Sequence, residues 1–104
     1  MCHCLACQKR TGSVFGAQAR FASSGFRVRG TSRDYIRVGD EGTRFTFRFC
    51  PECGSTVYYT AEGSDDVIAV PVGAFADPAF PPPTVSVYEH RRHDWVHIPG
   101  VITE

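Results

Sequence analysis

Residues 43–49 alternate polar and apolar side chains, which sets Phe45, Phe47 and Phe49 on one face of a predicted strand and Arg44, Thr46 and Arg48 on the other. Residues 56–60 read as the returning strand of a hairpin, with Tyr58 and Tyr59 on opposite faces. Shorter strands are expected over residues 14–21, 26–29, 35–38, 85–88 and 95–98, with residues 39–42 as a hairpin turn. Residues 67–70 are apolar without interruption, as suits a strand buried on both faces. Only residues 5–10 suggest a helix, one or two turns long and stopped by Thr11 and Gly12. Residues 76–83 are proline-rich and predict a stiff surface connector, because proline lacks the ladder donor. The fold class expected is all-β.

Composition agrees with that pattern, with eight Phe and four Tyr broken by ten Gly and seven Pro. At 104 residues the expected organisation is one domain, 1–104. A chain of this size buries about 65% of its unfolded surface, so a metal crosslink would matter to its stability. Eleven basic and eleven acidic residues give a formal net charge of zero. That removes the electrostatic basis for nucleic-acid or anionic-membrane binding. No apolar run approaches the ~20 residues that a membrane span requires. The opening Met1-Cys2-His3-Cys4 is not a basic-then-apolar leader. Clustered cysteines in odd number point to a reducing compartment, and the cytoplasm is the expected location.

Five cysteines fall in two clusters, Cys2, Cys4 and Cys7 and then Cys50 and Cys53. Two Cys-x-x-Cys pairs form a zinc-site pattern, since a tight turn presents two sulfurs to one ion. One reading is a single structural zinc on Cys4, Cys7, Cys50 and Cys53, with Cys2 incidental. Such a site supplies roughly 10–16 kcal/mol of apparent binding energy, comparable to a small domain's whole stability. A thiol–disulfide motif fits less well, because no βαβ pattern surrounds either pair. Sulfoxide reduction would need a further cysteine after Cys53, and the chain has none.

The segment from Cys2 to Ser13, Cys-His-Cys-Leu-Ala-Cys-Gln-Lys-Arg-Thr-Gly-Ser, resembles the C-H-C-x-x-C-x-x-x-x-G-S segment of the glutathione-dependent formaldehyde-activating enzyme family. Residues 49–55 resemble its F-C-x-x-C-G-[ST] segment, and residues 72–78 its G-[TS]-[LF]-x-D-P loop. Residues 91–96 resemble its basic stretch before a Trp-Val pair. The resemblance implies a zinc-pinned, Mss4-like β fold with two metal positions. It places Cys2, Cys4 and Cys7 on a catalytic zinc, and Cys50 and Cys53 on a structural zinc completed by an earlier Cys-x-Cys pair. That pair and its strands do not precede Met1 here, so a domain without its N-terminal strands is expected, and a sheet so opened favours a homo-oligomer.

Three thiolates on zinc leave one open position, where an incoming thiol is held as the reactive thiolate. A glutathione-like thiol adding to an aldehyde there would make the protein a carbon–sulfur lyase. The alternative is a non-catalytic zinc module with one structural site and a protein-interaction surface.

Among other residues, Lys9 and Arg10 follow the cysteine triplet closely enough to meet a thiol ligand's carboxylate, and Arg91 and Arg92 could do the same. Each is also an ordinary surface charge. Trp95 is expected to pack the last strand or to wall a ligand. His3, between two ligands, is expected to face solvent. Phe15, Phe21, Phe45, Phe47 and Phe49 are expected in the core.

Overall fold

The computed structural model describes all 104 residues, which divide into a unit of residues 19–76 and a unit formed by residues 1–18 with 77–104. The first unit is built on a sheet of five antiparallel strands, β1 (Gln18–Ala22), β2 (Arg33–Val38), β3 (Arg44–Phe49), β4 (Thr56–Ala61) and β5 (Val67–Pro71), in the order β1-β5-β4-β3-β2. The protein is all-β, as its strand patterning requires.

Alternation along β3 has the expected result. Phe47 stands opposite Tyr35 on β2 and Tyr59 on β4, and its ring centroid lies 4.7 Å from that of Tyr59. Arg37, opposite Phe45, lays its guanidinium over the rings of Phe45 and Phe47. On the other face Arg48 pairs with Asp34 at 3.3 Å and covers the Tyr58 ring. The core of this unit is Phe47 with Ile68, Ala69 and Val70 of β5, so the uninterrupted apolar run is indeed buried. Phe21 is more open than a core residue, and its ring packs against Phe26 and Phe75 at the surface.

Residues 26–29 form no strand. A 3₁₀ turn at Ser23–Gly25 closes through the Phe26 N–H on the Ser23 carbonyl, which spends the donor that a ladder would need. The alternation there reflects the Phe26 side chain packing on Phe21, while Val28 stays exposed.

The second unit holds the helix α1 (Leu5–Thr11) and a short parallel pair, β6 (Val85–Ser86) and β7 (Ile102–Thr103). The Cys4 sulfur caps α1 at one end by accepting the Cys7 N–H. Gly12 caps the other at φ 71°, a left-handed conformation that glycine adopts without penalty, and its N–H reaches the Gln8 carbonyl. The strand expected over 85–88 stops early because Tyr88, at φ 56°, turns the chain into a 3₁₀ turn, Glu89–Arg91.

Residues 95–98 are not a strand either. The Val96 N–H bonds the His93 carbonyl and the Val96 carbonyl accepts from Arg92 Nη1, so this backbone is satisfied locally. Residues 76–83 form the irregular connector expected of them. No helix is long and apolar enough to cross a membrane.

Candidate metal centre

Residues 1–3 run extended, held on both edges by main-chain bonds. Cys2 exchanges N–H···O bonds with Gly16 at 2.8 and 2.9 Å, while His3 N–H donates to the Val87 carbonyl at 3.1 Å. In extended backbone, residues two apart point the same way, so Cys2 and Cys4 share a side. Cys4 then opens α1, and Cys7 lies three residues further, on the same helix face. The Sγ atoms of Cys2, Cys4 and Cys7 all lie within 4.8 Å of one another. Cys2 is therefore a member of the cluster and not an incidental thiol.

The neighbouring Cys7 thiol pulls the Cys2 thiol below its ordinary range, against the opposing effect of burial. Cys2 in turn, reinforced by burial, pushes the Cys7 thiol far above its own. The Cys4 sulfur accepts the Cys7 main-chain N–H at 3.3 Å, an arrangement that suits a thiolate. Thiolates about 2.3 Å from a tetrahedral zinc would sit about 3.8 Å apart, which lies inside the 4.8 Å that bounds this triangle. Sulfur-only donors favour a soft or borderline ion. The cluster could hold a metal ion with one position left for a further ligand.

The residue between the ligands departs from expectation. His3 is only 1% exposed. If Cys2 and Cys4 face one way, His3 faces the other, and that side is the interior of its unit. Nε2 of His3 lies 3.0 Å from Ser86 Oγ and 3.1 Å from Glu89 Oε2, and the ring packs near Phe15. Desolvation holds the imidazole below its ordinary range, with Glu89 opposing, so it is neutral near pH 7.

Gln8 is a second residue that motif reading passes over. Its Nε2 donates to the carbonyls of His3 at 2.8 Å and Arg91 at 3.1 Å, and its Oε1 meets His93 Nε2 at 3.0 Å. Gln8, Ser86 and Glu89 carry no local sequence signal for these roles. Ser86 lies 83 residues from His3 along the chain, and Gln8 lies 83 residues from Arg91.

Lys9 is exposed and Arg10 half-buried, both in the last turn of α1, and Arg91 is exposed. Arg92 is engaged by its own loop, with Nη1 on the Val96 carbonyl at 2.9 Å and Nε 3.4 Å from Glu89 Oε1. Trp95 packs against no strand. It is 71% exposed and stands edge-on to His93.

Cys50 and Cys53 lie in the other unit, at the turn joining β3 to β4. The knuckle is closed by Cys50 N–H to the Ser55 carbonyl and Gly54 N–H to the Cys50 carbonyl, so it caps the hairpin as its spacing predicts. The exposed Cys53 thiol is drawn below its ordinary range, chiefly by the Ser55 hydroxyl 3.3 Å away and also by Cys50.

No curated protein matches this chain. The family model described as glutathione-dependent formaldehyde-activating enzyme matches residues 1–91, and with that span covering most of its length the protein belongs to the glutathione-dependent formaldehyde-activating enzyme family.

Proposed function

We propose that the protein is a zinc-dependent carbon–sulfur lyase of the formaldehyde-activating type, joining a small thiol such as glutathione to an aldehyde. The observation that carries this reading is the convergence of three thiols, Cys2, Cys4 and Cys7, within 4.8 Å. Zinc held by these three would supply an open position at which a substrate thiol ionises. In the net reaction a sulfur–carbon bond forms as the carbonyl π bond breaks, and the thiol proton ends on the former carbonyl oxygen. The product is an S-hydroxymethyl adduct when the aldehyde is formaldehyde.

The protein's own residues bind and orient. Lys9, Arg10, Arg91 and Arg92 contribute the positive charge that a dicarboxylate thiol such as glutathione requires, and the exposed Trp95 offers an apolar wall. Holding two reactants together removes most of the entropic barrier to such an addition. In the same reading Cys50 and Cys53 supply half the ligands of a second, structural zinc within a single zinc-binding domain. A reducing, cytoplasmic setting keeps all five thiols available.

Metal content and adduct formation test this together. Wild-type protein should carry at least one zinc ion per chain by elemental analysis and accelerate S-hydroxymethyl adduct formation, followed by NMR. Cys2→Ser should lose one zinc and the acceleration while keeping its circular dichroism. A single zinc indifferent to Cys2→Ser, with no acceleration, would replace this reading with a non-catalytic zinc module.

A further inference from the structure

His3 is the residue that the thiolate chemistry leaves unused and that the fold buries most completely, together with Ser86. The proton arrangement around its Nε2 can be worked out. Ser86 donates its hydroxyl hydrogen to Glu89 Oε2, and a carboxylate only accepts. Both oxygens near Nε2 are therefore acceptors towards it, so Nε2 carries the hydrogen and donates. Nδ1 is buried without a partner, so the side chain is held from this one end.

The main chain of His3 is held as well. Its N–H donates to the Val87 carbonyl at 3.1 Å, and its carbonyl accepts from Gln8 Nε2 at 2.8 Å. Three separate bonds thus fix one residue, and that residue sits between two cluster thiols. In extended backbone, fixing the middle residue sets the directions in which its neighbours' Cβ atoms leave the chain.

We propose that Ser86 and Glu89 are positioning residues, which act through the His3 imidazole to hold Cys2 and Cys4 at metal-binding separation. This rests on the reading that the triplet holds zinc. A polar cluster that merely stabilised its unit would change unfolding but not the affinity of the thiols for metal. A positioning cluster changes that affinity, and losses of about 10–100-fold are typical for residues that orient metal ligands.

The test uses the full chain, with zinc titrated against a chromophoric chelator and the visible absorption of the Co²⁺-substituted protein recorded in parallel. Two replacements of His3 separate the roles. The amide nitrogen of glutamine reaches the place of Nε2, whereas that of asparagine falls short of it. His3→Asn should weaken zinc binding about 10–100-fold and alter the Co²⁺ spectrum, and His3→Gln should restore most of both.

Should the His3 variants unfold, Ser86→Ala and Glu89→Ala carry the test. They alter groups remote in sequence and should still lower zinc affinity. Unchanged affinity in Glu89→Ala and Ser86→Ala, or equal losses in His3→Asn and His3→Gln, would overturn the proposal while leaving the zinc reading intact. Failure of the wild-type chain to bind zinc would overturn both.

Discussion

Gln8 Oε1 and His93 Nε2 meet at 3.0 Å, and the rest of the Gln8 amide decides which of them donates. Both Gln8 N–H groups are spent on the His3 and Arg91 carbonyls, so Oε1 can only accept. His93 must then carry a hydrogen on Nε2. A side chain one residue past the last thiol thus ties the cysteine loop to the loop that carries Arg91 and His93.

That geometry makes Gln8→Glu more damaging than its size suggests. A carboxylate would face two carbonyls with no hydrogen to offer, leaving both unsatisfied. We expect a loss of about 1–3 kcal/mol in urea unfolding of the metal-free chain. Imidazole nitrogen NMR should show the hydrogen on His93 Nε2 in both wild type and variant, because a carboxylate accepts it as the amide oxygen does. An unchanged midpoint would show that the Gln8 amide is not oriented as described.

Glu89 gives the protein an acid limb whose sign follows from its partners. The Ser86 hydroxyl, and then His3 and Arg92, hold its carboxyl below the ordinary 4.5, with desolvation opposing. The folded value lies under the unfolded one, so the unfolded chain takes up the proton first as pH falls. The stabilisation is complete above about pH 4.5 and is lost as pH drops through the folded value. Ser86→Ala should raise the Glu89 pKa and flatten this limb, measured as urea midpoints from about pH 7 to about pH 3. A limb of the same slope in Ser86→Ala would place its origin in another group.

Much of this was legible in the chain. Strands β3 and β4 declare themselves because period-two alternation is what a sheet with one buried face demands, and Phe47 alone meets aromatic residues on both neighbouring strands. Thr11 and Gly12 end the helix for a local reason that is equally readable. The failures share a cause. Residues 26–29 and 95–98 have strand-like side chains, but their backbone groups are satisfied by a local turn and by the Arg92 guanidinium. His3 looked exposed because alternation says only that it opposes Cys2 and Cys4. Which side is interior depends on Ser86 and Glu89, and no local pattern links them to residue 3.

Gly54 in the cysteine knuckle and Gly73 in the 3₁₀ turn Val72–Phe75 make a matched pair of glycine substitutions. Gly54 sits at φ +77°, and a methyl group added there would meet nothing within 4 Å. The cost of Gly54→Ala is therefore conformational alone, about 1–2 kcal/mol. Gly73 has equal space but no positive φ, so Gly73→Ala should be neutral or stabilising by up to about 1 kcal/mol. Urea unfolding of the two variants should move in different directions. Equal shifts would mean that backbone handedness is not what the knuckle requires of residue 54.

Phe47 is the position on which the sheet of residues 19–76 most depends. It is 2% exposed and meets Tyr35, Phe45 and Tyr59, so truncation would remove contacts on three strands at once. Phe47→Ala should cost about 3–5 kcal/mol, from lost transfer energy and the cavity left between neighbours that cannot close on it. Small domains have only about 5–15 kcal/mol in all, so the variant should sit near its unfolding threshold at room temperature. Tyr35 lies opposite on the edge strand β2 and is 53% exposed, so most of its surface is already in water. Tyr35→Ala should cost well under half as much, although both residues belong to the same aromatic row. Urea midpoints read by far-ultraviolet circular dichroism separate the two cases. Comparable losses from both would show that the row acts as one cooperative surface and that burial of Phe47 is not the dominant contribution.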